Sequence, residues 1–330
     1  MTVLGLDVGG ANLKAATADK RAVSVPFALW KQPDQLPAAL AELVKQFPDA
    51  AALAVTMTGE LCDCYETKRQ GVNAILDAVE YAAKGFPVRV WSADGTLIGT
   101  SASREDYLKV AAANWHATAT YAAQLTTGPA LMIDVGSTTT DVIPIANGAP
   151  CSEGKTDSER LAAGELVYTG VRRTPICALL GESVAAELFA TTKDAYLLLG
   201  WIQESPEDCD TADGRPATVR NAHARLSRML GGDPELTSTD ETRRLAEQVF
   251  SKQDDIIEDA VIRVADIMLG SIQTVVTAGS GEFLLDAVTR HPLFEGAARI
   301  SLSEHLGPTV SACAAAYALA VLATERRPPQ

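Results

Sequence analysis

Two Asp-Gly strings carry the residue types and spacing of a phosphate site. VLGLDVGGANLKAA spans residues 3–16, LMIDVGSTTTDVIP spans residues 131–144, and Asp7 and Asp134 hold the same place in each. In both, an apolar run ends at the aspartate, turns at glycine and resumes, which predicts a strand, a tight turn and an antiparallel return strand. Turn N–H groups bind anions, and a nearby carboxylate suits Mg²⁺. No buried basic residue is evident nearby in sequence, so we expect Mg²⁺ to be the partner of both aspartates.

A third glycine-rich turn follows a strand pattern late in the chain. TVVTAG at 274–279 leads into Gly279, Ser280 and Gly281, and a helix is predicted to start there. A helix N-terminus would add positive partial charge beside a bound anion. One Asp-Gly turn alone is weak evidence, because an ordinary turn can have the same composition. Two copies together with the third turn predict a phosphate or diphosphate site.

The elements that position these turns alternate between strand and helix. The pattern predicts strands at AVSVPFAL, ALAVTM, VRVW, TVVTAG and 299–302, and helices around 36–47, 71–83, 219–230 and 241–269. This order is typical of an α/β fold. We predict a first domain at 1–128 and a second at 129–307 with a mostly helical insertion at about 150–270. A C-terminal helix at about 308–325 is expected to pack back on the first domain.

Composition limits the partners and the compartment. The 330 residues are 47% hydrophobic and carry a formal net charge of −14, so most of the surface repels nucleic acid and anionic membranes. The apolar stretch at 310–323 is too short to span a bilayer. Cys62 and Cys64 are separated by one residue, and no second close pair of cysteines accompanies them, so we interpret both as structural. We expect a cytoplasmic protein that binds neither nucleic acid nor membrane, and the oligomeric state, including a homo-oligomer, stays open.

The paired hairpins resemble the phosphate loops of the actin, sugar kinase and Hsp70 type of ATPase, in which the later glycine turn is the adenosine motif. The resemblance covers most of the chain and implies two ribonuclease-H-like domains with a cleft between them. IDVGSTTTDVIPI resembles the hydantoinase A and oxoprolinase branch. Five strings resemble tetrahydromethanopterin-linked one-carbon transfer pathway proteins: LDVGGANLKAA, AVTMTGELCDCYETKRQGV, AANWHATA, RLAAGELVYTGVRRTP and FATTKDAYLLLG.

That group includes a synthase of methanofuran biosynthesis, so the resemblance implies a transferase of the methanofuran or methylofuran pathway. It would join an aminomethylfuran-methyl diphosphate to the phenol oxygen of a tyramine- or tyrosine-type acceptor, forming an aryl ether and releasing pyrophosphate. The furan stabilises a cation, so the protein must mainly neutralise pyrophosphate and position the phenol. Asp7 and Asp134 would be catalytic and hold Mg²⁺. The expected diphosphate- or nucleotide-binding residues are Gly9, Gly10, Asn12, Lys14, Gly136, Ser137, Thr138, Thr139, Thr140, Gly279, Ser280 and Gly281.

Polar residues outside the turns are further candidates. Glu60 follows a strand at the carboxyl edge of the sheet, where it could orient the substrate amine or assist the phenol proton, or else cap a helix. Lys68 and Arg69 could contact acidic tails of the acceptor, or simply begin a solvated helix.

A second group of candidates lies in the second half and on one helix. Glu165 is a catalytic candidate, and Tyr168, Arg172 and Arg173 are substrate-binding candidates, because an arginine fork can bind diphosphate or carboxylate. His116 could be catalytic, or it could have a structural role. The acidic residues Asp194, Asp208, Asp210 and Asp213 could hold a cation or be merely solvated.

Other functions would use the same turns. An ATP-dependent small-molecule kinase, or an ATP-driven hydrolase of the hydantoinase and oxoprolinase kind, would bind ATP there. A nucleotide-binding regulator would bind ATP without turnover. The length argues against a hydantoinase, since longer chains or a second subunit are typical of that activity.

Overall fold

The first hairpin opens a six-stranded mixed sheet. The computed structural model describes residues 2–268 and 270–325. The strands of this sheet are β1 (Thr2–Val8), β2 (Asn12–Thr17), β3 (Ala22–Pro26), β4 (Ala50–Met57), β5 (Val88–Ser92) and β6 (Thr96–Ile98). Their order is β3-β2-β1-β4-β5-β6. β1 is antiparallel to β2 and parallel to β4, and β5 is parallel to β4, so β1, β4 and β5 end at one edge of the sheet.

Helices cover both faces of this sheet. They are α1 (Leu36–Lys45), α2 (Lys68–Ala83), α3 (Thr100–Glu105), α4 (Tyr107–Val110) and α5 (Asn114–Gln124). Apolar residues recur on one side of α1 and α2, and those sides pack on the sheet in one buried cluster. α2 begins three residues earlier than predicted because the Thr67 hydroxyl caps it, accepting the N–H of Gln70 at 3.1 Å.

The second hairpin opens a matching sheet. Its strands are β7 (Ala130–Val135), β8 (Thr140–Ala146), β9 (Ala149–Pro150), β10 (Leu166–Val167), β11 (Thr274–Ala278) and β12 (Ala298–Ser301). The order is β10-β8-β7-β11-β12, with β9 beside β8. β7 is antiparallel to β8 and parallel to β11. The cross-strand pair Asp134 and Asp141 therefore corresponds to the pair Asp7 and Lys14 in the first sheet.

Helices make up most of the segment between β10 and β11. The helices of the second half are α6 (Asp157–Ala163), α7 (Ile176–Leu180), α8 (Thr192–Leu199), α9 (Val219–Met229), α10 (Thr239–Asp266), α11 (Leu302–Leu306), α12 (Pro308–Ser311) and α13 (Ala314–Glu325). α7 to α10 share a small apolar core. The last residue predicted for α10, Leu269, lies outside the described residues.

One buried core joins the two sheets. α5 and α13 lie between them, and apolar side chains of β1, β5, β7, β8 and β11 meet there. α13 contacts β1, β2 and β4. The carboxyl ends of the parallel strands in both sheets carry the two hairpin turns, so this packing sets the position of the turns. The domain limits at residues 128 and 307 stay a prediction. Within the described residues, no helix has both the length and the apolar character that crossing a membrane requires.

Candidate functional site

The first turn leaves two backbone donors open. The N–H of Gly9 donates to the Asn12 carbonyl at 3.0 Å and closes the turn. The N–H groups of Gly10 and Ala11 make no hydrogen bond to any residue that the structure describes. The prediction that Gly9 donates to phosphate is therefore wrong, because its N–H is used inside the turn. Gly10 and Ala11 present the open donors.

The second turn repeats this arrangement. The N–H of Gly136 donates to the Thr139 carbonyl at 2.8 Å, so Gly136 is also excluded as a phosphate donor. The N–H groups of Ser137 and Thr138 have no partner within residues 2–268 and 270–325. Thr140 is wrong as a diphosphate ligand as well, because its hydroxyl is fully buried and donates to the Thr169 carbonyl at 2.8 Å.

A segment at 170–173 supports the second turn from behind. The N–H of Val171 donates to the Gly136 carbonyl at 3.0 Å, and those of Arg172 and Arg173 donate to the Ser137 carbonyl at 2.9 and 3.0 Å. A Cβ at Gly170 would lie 2.6 Å from the backbone nitrogen of Thr138, so only glycine permits this approach. The carbonyls of Gly136 and Ser137 are thus used by this segment, while the N–H groups of Ser137 and Thr138 stay unpaired among the described residues.

The third turn packs on Asp134. Gly279 has φ +90°, and a Cβ there would lie 2.3 Å from the Asp134 carboxylate. The N–H of Gly281 donates to the Val135 carbonyl at 2.9 Å. Only a 3₁₀ turn, Glu282–Leu284, follows. The predicted α-helix start after Ser280 is wrong, so no helix dipole acts at this turn.

Lys14 is the nearest cation to Asp7. Its Nζ lies 3.8 Å from Asp7 Oδ2, and the second carboxylate oxygen of Asp7 is buried without a partner among the described residues. Burial raises the pKa of Asp7, and Lys14 partly offsets that rise. The return strand places Lys14 directly across from Asp7, and its side chain is 32% exposed, so this cation meets Asp7 at the site without forming a buried ion pair.

Asp134 lies in a strongly acidic setting. The pKa of Asp134 is raised to about 7, mainly by burial; the charges of Asp141, Glu282 and Asp7 add to the rise and that of Lys14 opposes it. These mutual effects show that the two hairpins meet, since Asp7 and Lys14 belong to the first and Asp134 to the second. A cation or a proton is needed to relieve this concentration of carboxylates.

A buried ion pair between Arg160 and Asp141 lies beside Asp134, and local sequence patterns could not predict it. Arg160 Nη2 lies 2.7 Å from Asp141 Oδ1, and its guanidinium lies 4.0 Å from the Trp115 ring centroid. Arg160 is almost fully buried. The one available signal was the repeat itself, which places Asp141 where the first hairpin has Lys14. Arg160 neutralises Asp141 and leaves Asp134 as the open carboxylate.

Glu60 lies in the same acidic region. Its side chain is 1% exposed, and Oε2 has no hydrogen-bond partner in the described part of the chain. The pKa of Glu60 is raised to about 7, mainly by burial; the charges of Asp157 and Asp7 add to the rise and that of Lys68 opposes it. Glu60 follows β4, so it reaches the edge of the sheet where Asp7 ends β1. A buried, unpaired carboxylate of this kind can accept a proton near neutral pH.

Lys68 and Tyr168 border this region. Lys68 Nζ lies 3.0 Å from Asp157 Oδ2, which joins α2 to α6 across the two halves. The charges of Asp157, Lys68 and Glu60 all act on the pKa of Tyr168, which burial raises. Tyr168 is 56% exposed, so it can contact a bound molecule.

The three arginines predicted to bind substrate each contact other parts of the protein. The Arg69 guanidinium lies 4.1 Å from the centroid of the Tyr107 ring and donates to a backbone carbonyl of α3, and its role in substrate binding stays a prediction. Arg172 pairs with Asp208, so it anchors the acidic loop to the second turn. Arg173 is exposed and lies over the Trp30 ring at 5.3 Å.

Glu165 and His116 lie outside the acidic region. The Glu165 carboxylate accepts the N–H groups of Glu153 and Gly154 at 2.6 and 3.2 Å, so it shapes that loop, and the catalytic role predicted for it stays a prediction. His116 is buried in α5, where Trp91 Nε1 donates to its Nδ1 at 3.3 Å. His116 lines a pocket outside the acidic region, and its catalytic role stays a prediction.

The acidic residues that were candidates for a cation site form ion pairs. Asp208 pairs with Lys193 at 2.7 Å, and Asp194 and Asp213 pair with buried Arg225, so these acids are bound by protein cations. The six cysteines are free thiols. Among the described residues, no group of three or more His, Cys, Asp or Glu side chains is arranged to hold a metal ion.

The whole chain can now be compared with known proteins. The model of the hydantoinase/oxoprolinase family matches residues 52–326. The chain belongs to the hydantoinase/oxoprolinase family. Nucleotide-free acetone carboxylase has a similar structure, with a TM-score of 0.57 at 11% identity over 96% of this chain and 70% of that one. This likeness and the two matching sheets confirm the predicted α/β fold.

Two relatives of this family member share one name, (4-{4-[2-(gamma-L-glutamylamino)ethyl]phenoxymethyl}furan-2-yl)methanamine synthase. The protein from Methanocaldococcus jannaschii is 34% identical over 333 residues, which cover 97% of each chain. The protein from Methanococcus vannielii is 36% identical over 200 residues, which cover 58% of this chain and 89% of that one. The product in this name contains a phenol oxygen bound to a furan methylene, which is an aryl ether.

Proposed function

We propose that this protein is a transferase of methanofuran or methylofuran biosynthesis. It condenses an aminomethylfuran-methyl diphosphate with the phenol oxygen of a tyramine- or tyrosine-type acceptor and releases pyrophosphate. The observation that carries the proposal is 34% identity over 97% of the chain to a synthase named for such an ether, combined with two open phosphate turns at one acidic site. Both substrates are small molecules, and we propose that the reaction takes place in the cytoplasm.

The two turns provide the leaving-group site. The open N–H groups of Gly10, Ala11, Ser137 and Thr138 can donate to the oxygens of a diphosphate, and Lys14 adds a positive charge beside them. As the bond between the furfuryl carbon and the diphosphate oxygen breaks, negative charge grows on the departing pyrophosphate. Donors fixed in place before the reaction stabilise that charge without reorganisation.

Asp7 and Asp134 fit a Mg²⁺ ion that is shared with a diphosphate. Mg²⁺ commonly keeps several waters and uses one or two carboxylates plus phosphate oxygens, so a larger cluster of protein ligands is not required. The unpartnered oxygen of Asp7 leaves a ligand position open, and a cation would relieve the repulsion among the carboxylates around Asp134. When bound, Mg²⁺ supplies positive charge that neutralises pyrophosphate.

Glu60 is the proposed base for the phenol. As the new carbon–oxygen bond forms, the phenol proton must leave, and the Glu60 oxygen that lacks a hydrogen-bond partner can accept it. A pKa of about 7 keeps Glu60 ionised in much of the population at neutral pH while leaving it basic enough to take the proton. Tyr168 and Lys68, which border Glu60, are the proposed contacts for the acceptor. Thr139 and the turn at Gly279 and Ser280 complete the proposed wall of the diphosphate site.

One assay separates this function from ATP-dependent chemistry. Purified protein is incubated with Mg²⁺, the furan diphosphate and tyramine-type phenols, and pyrophosphate and ether are measured with and without ATP. We expect one pyrophosphate per ether and no requirement for ATP, because the donor already carries its leaving group. Ether formation that strictly needs ATP, or ADP release from ATP alone, would replace this proposal with the kinase or hydrolase.

A further inference from the structure

A polar pocket lies between the two halves on the side of β5. It has a volume of about 180 Å³, several times what one bound water requires. The first half contributes Asp94, Trp115 and His116, and the second contributes Ser152, Gly154 and Lys155. None of these residues acts in the reaction described above. Because both halves form its walls, the pocket opens onto the same interface as the reaction site.

The pocket presents charges of both signs and an unpaired hydroxyl. Lys155 Nζ and the Asp94 carboxylate form an ion pair across it, and Asp94 is also 3.2 Å from Lys109. Ser152 Oγ is buried and has no hydrogen-bond partner among residues 2–268 and 270–325. Buried polar atoms are normally paired, so this hydroxyl indicates a missing partner. Such a lining suits a small group that carries both an ammonium and a carboxylate.

Direct contacts connect the pocket with the acidic region. Trp115 in the pocket wall contacts Arg160, Arg160 pairs with Asp141 at 2.7 Å, and Asp141 is the cross-strand neighbour of Asp134. Glu165 fixes the loop at 153–154 through two backbone hydrogen bonds, and Gly154 of that loop lines the pocket. Glu60 follows β4 and Asp94 follows β5, and these neighbouring parallel strands end at the same edge of the sheet, so the pocket lies beside the acidic region. One elongated molecule lying along this edge could therefore place its phenol near Glu60 and its other end in the pocket.

The acceptor named by the relatives is elongated and ends in such a group. A γ-L-glutamylamino arm carries a free α-ammonium and α-carboxylate, at the end opposite the phenol. Resting on the proposed function, we propose that this pocket binds the α-amino acid end of the phenolic acceptor. The Lys155 ammonium meets the α-carboxylate, the Asp94 carboxylate meets the α-ammonium, and Ser152 donates a hydrogen bond to the carboxylate.

Acceptor selectivity tests this site. Ether formation is measured for wild type, Lys155→Met and Ser152→Ala with γ-glutamyltyramine and with tyramine, which lacks the amino acid end. We expect Lys155→Met to raise KM for γ-glutamyltyramine about 10-fold or more, since it loses a charge-assisted hydrogen bond, and to leave kcat and the tyramine reaction unchanged. Lys109→Met is the matched control, because Lys109 also pairs with Asp94 but does not line the pocket. Equal effects on both phenols, or the same effect from Lys109→Met, would overturn the proposal.

A binding measurement keeps this site separate from the reaction. Calorimetry with γ-glutamylethylamide, which has the amino acid end but no phenol, should show binding to wild type and about 10-fold weaker binding to Lys155→Met. Binding without ether formation from either phenol would retain the pocket and refute the transferase. Ether formation without binding of this probe, and without preference for γ-glutamyltyramine, would refute the pocket and retain the transferase.

Discussion

Glu60→Gln should make the protein more stable and less active at the same time. Glu60 is buried with one carboxylate oxygen unpaired, so its charged form is costly in the folded state. The raised pKa means that the folded protein holds this proton more tightly than the unfolded chain does. The stability from neutral Glu60 is therefore complete below the unfolded pKa and is lost as the pH rises through the folded pKa of about 7. Gln is neutral at every pH and avoids that loss.

The size of the effect follows from the pKa. A rise from 4.5 to about 7, at 1.36 kcal/mol per pKa unit, corresponds to about 3 kcal/mol. Between pH 4 and pH 8, wild type should lose up to about 3 kcal/mol of unfolding free energy relative to Glu60→Gln. Comparing the two proteins at both pH values cancels any packing difference between Glu and Gln, because that difference does not depend on pH.

Urea unfolding at pH 4, 6 and 8 measures this difference, and turnover is followed over the same range. We expect the turnover of wild type to fall as the pH drops below about 7. The turnover of Glu60→Gln should be about 100-fold or more lower and should not show this fall at low pH, as expected when a general base is lost. Glu66→Gln, an exposed carboxylate in the same loop, is the matched control. A pH-independent stability difference would refute the burial cost, and normal turnover by Glu60→Gln would refute its role as base.

Three further outcomes test the hairpins and the thiols. Asp7→Asn and Asp134→Asn should each lower turnover about 100-fold or more while Tm holds or rises, because each removes a charge needed for Mg²⁺ and diphosphate and relieves a buried carboxylate; near-normal turnover of either at low Mg²⁺ would contradict this. Gly170→Ala should lower kcat about 10-fold or more in steady-state assays, because the added methyl displaces the second turn, and an unchanged kcat would show that the turn tolerates displacement. Replacing Cys62 and Cys64 with Ala should leave metal content, measured by mass spectrometry, and most activity intact; burial raises the pKa of both thiols, so loss of a stoichiometric metal would refute their structural role.

The sequence by itself determined the features that depend on local pattern. Asp7 and Asp134 end apolar strands before glycine turns, and strand alternation and turn chemistry act over a few residues, so both hairpins and the order of most elements could be predicted from one chain. The similarity of the two strings also indicated a duplicated sheet. Glu60 could be placed at the carboxyl edge because it directly follows a strand of the predicted α/β pattern.

Tertiary structure alone decided which of these groups are open. Gly136 and Thr140 fit the pattern of phosphate ligands, yet their donors are used within the protein, and Glu165 is used by a distant loop. Arg160 in α6 pairs with Asp141 in β8 and lies over the Trp115 ring in α5, and these are contacts between separate elements of the chain. Hydrogen bonding and desolvation depend on all neighbours of a group, whereas a sequence pattern reports only those nearby in the chain. The charge state of the acidic region was therefore set by packing.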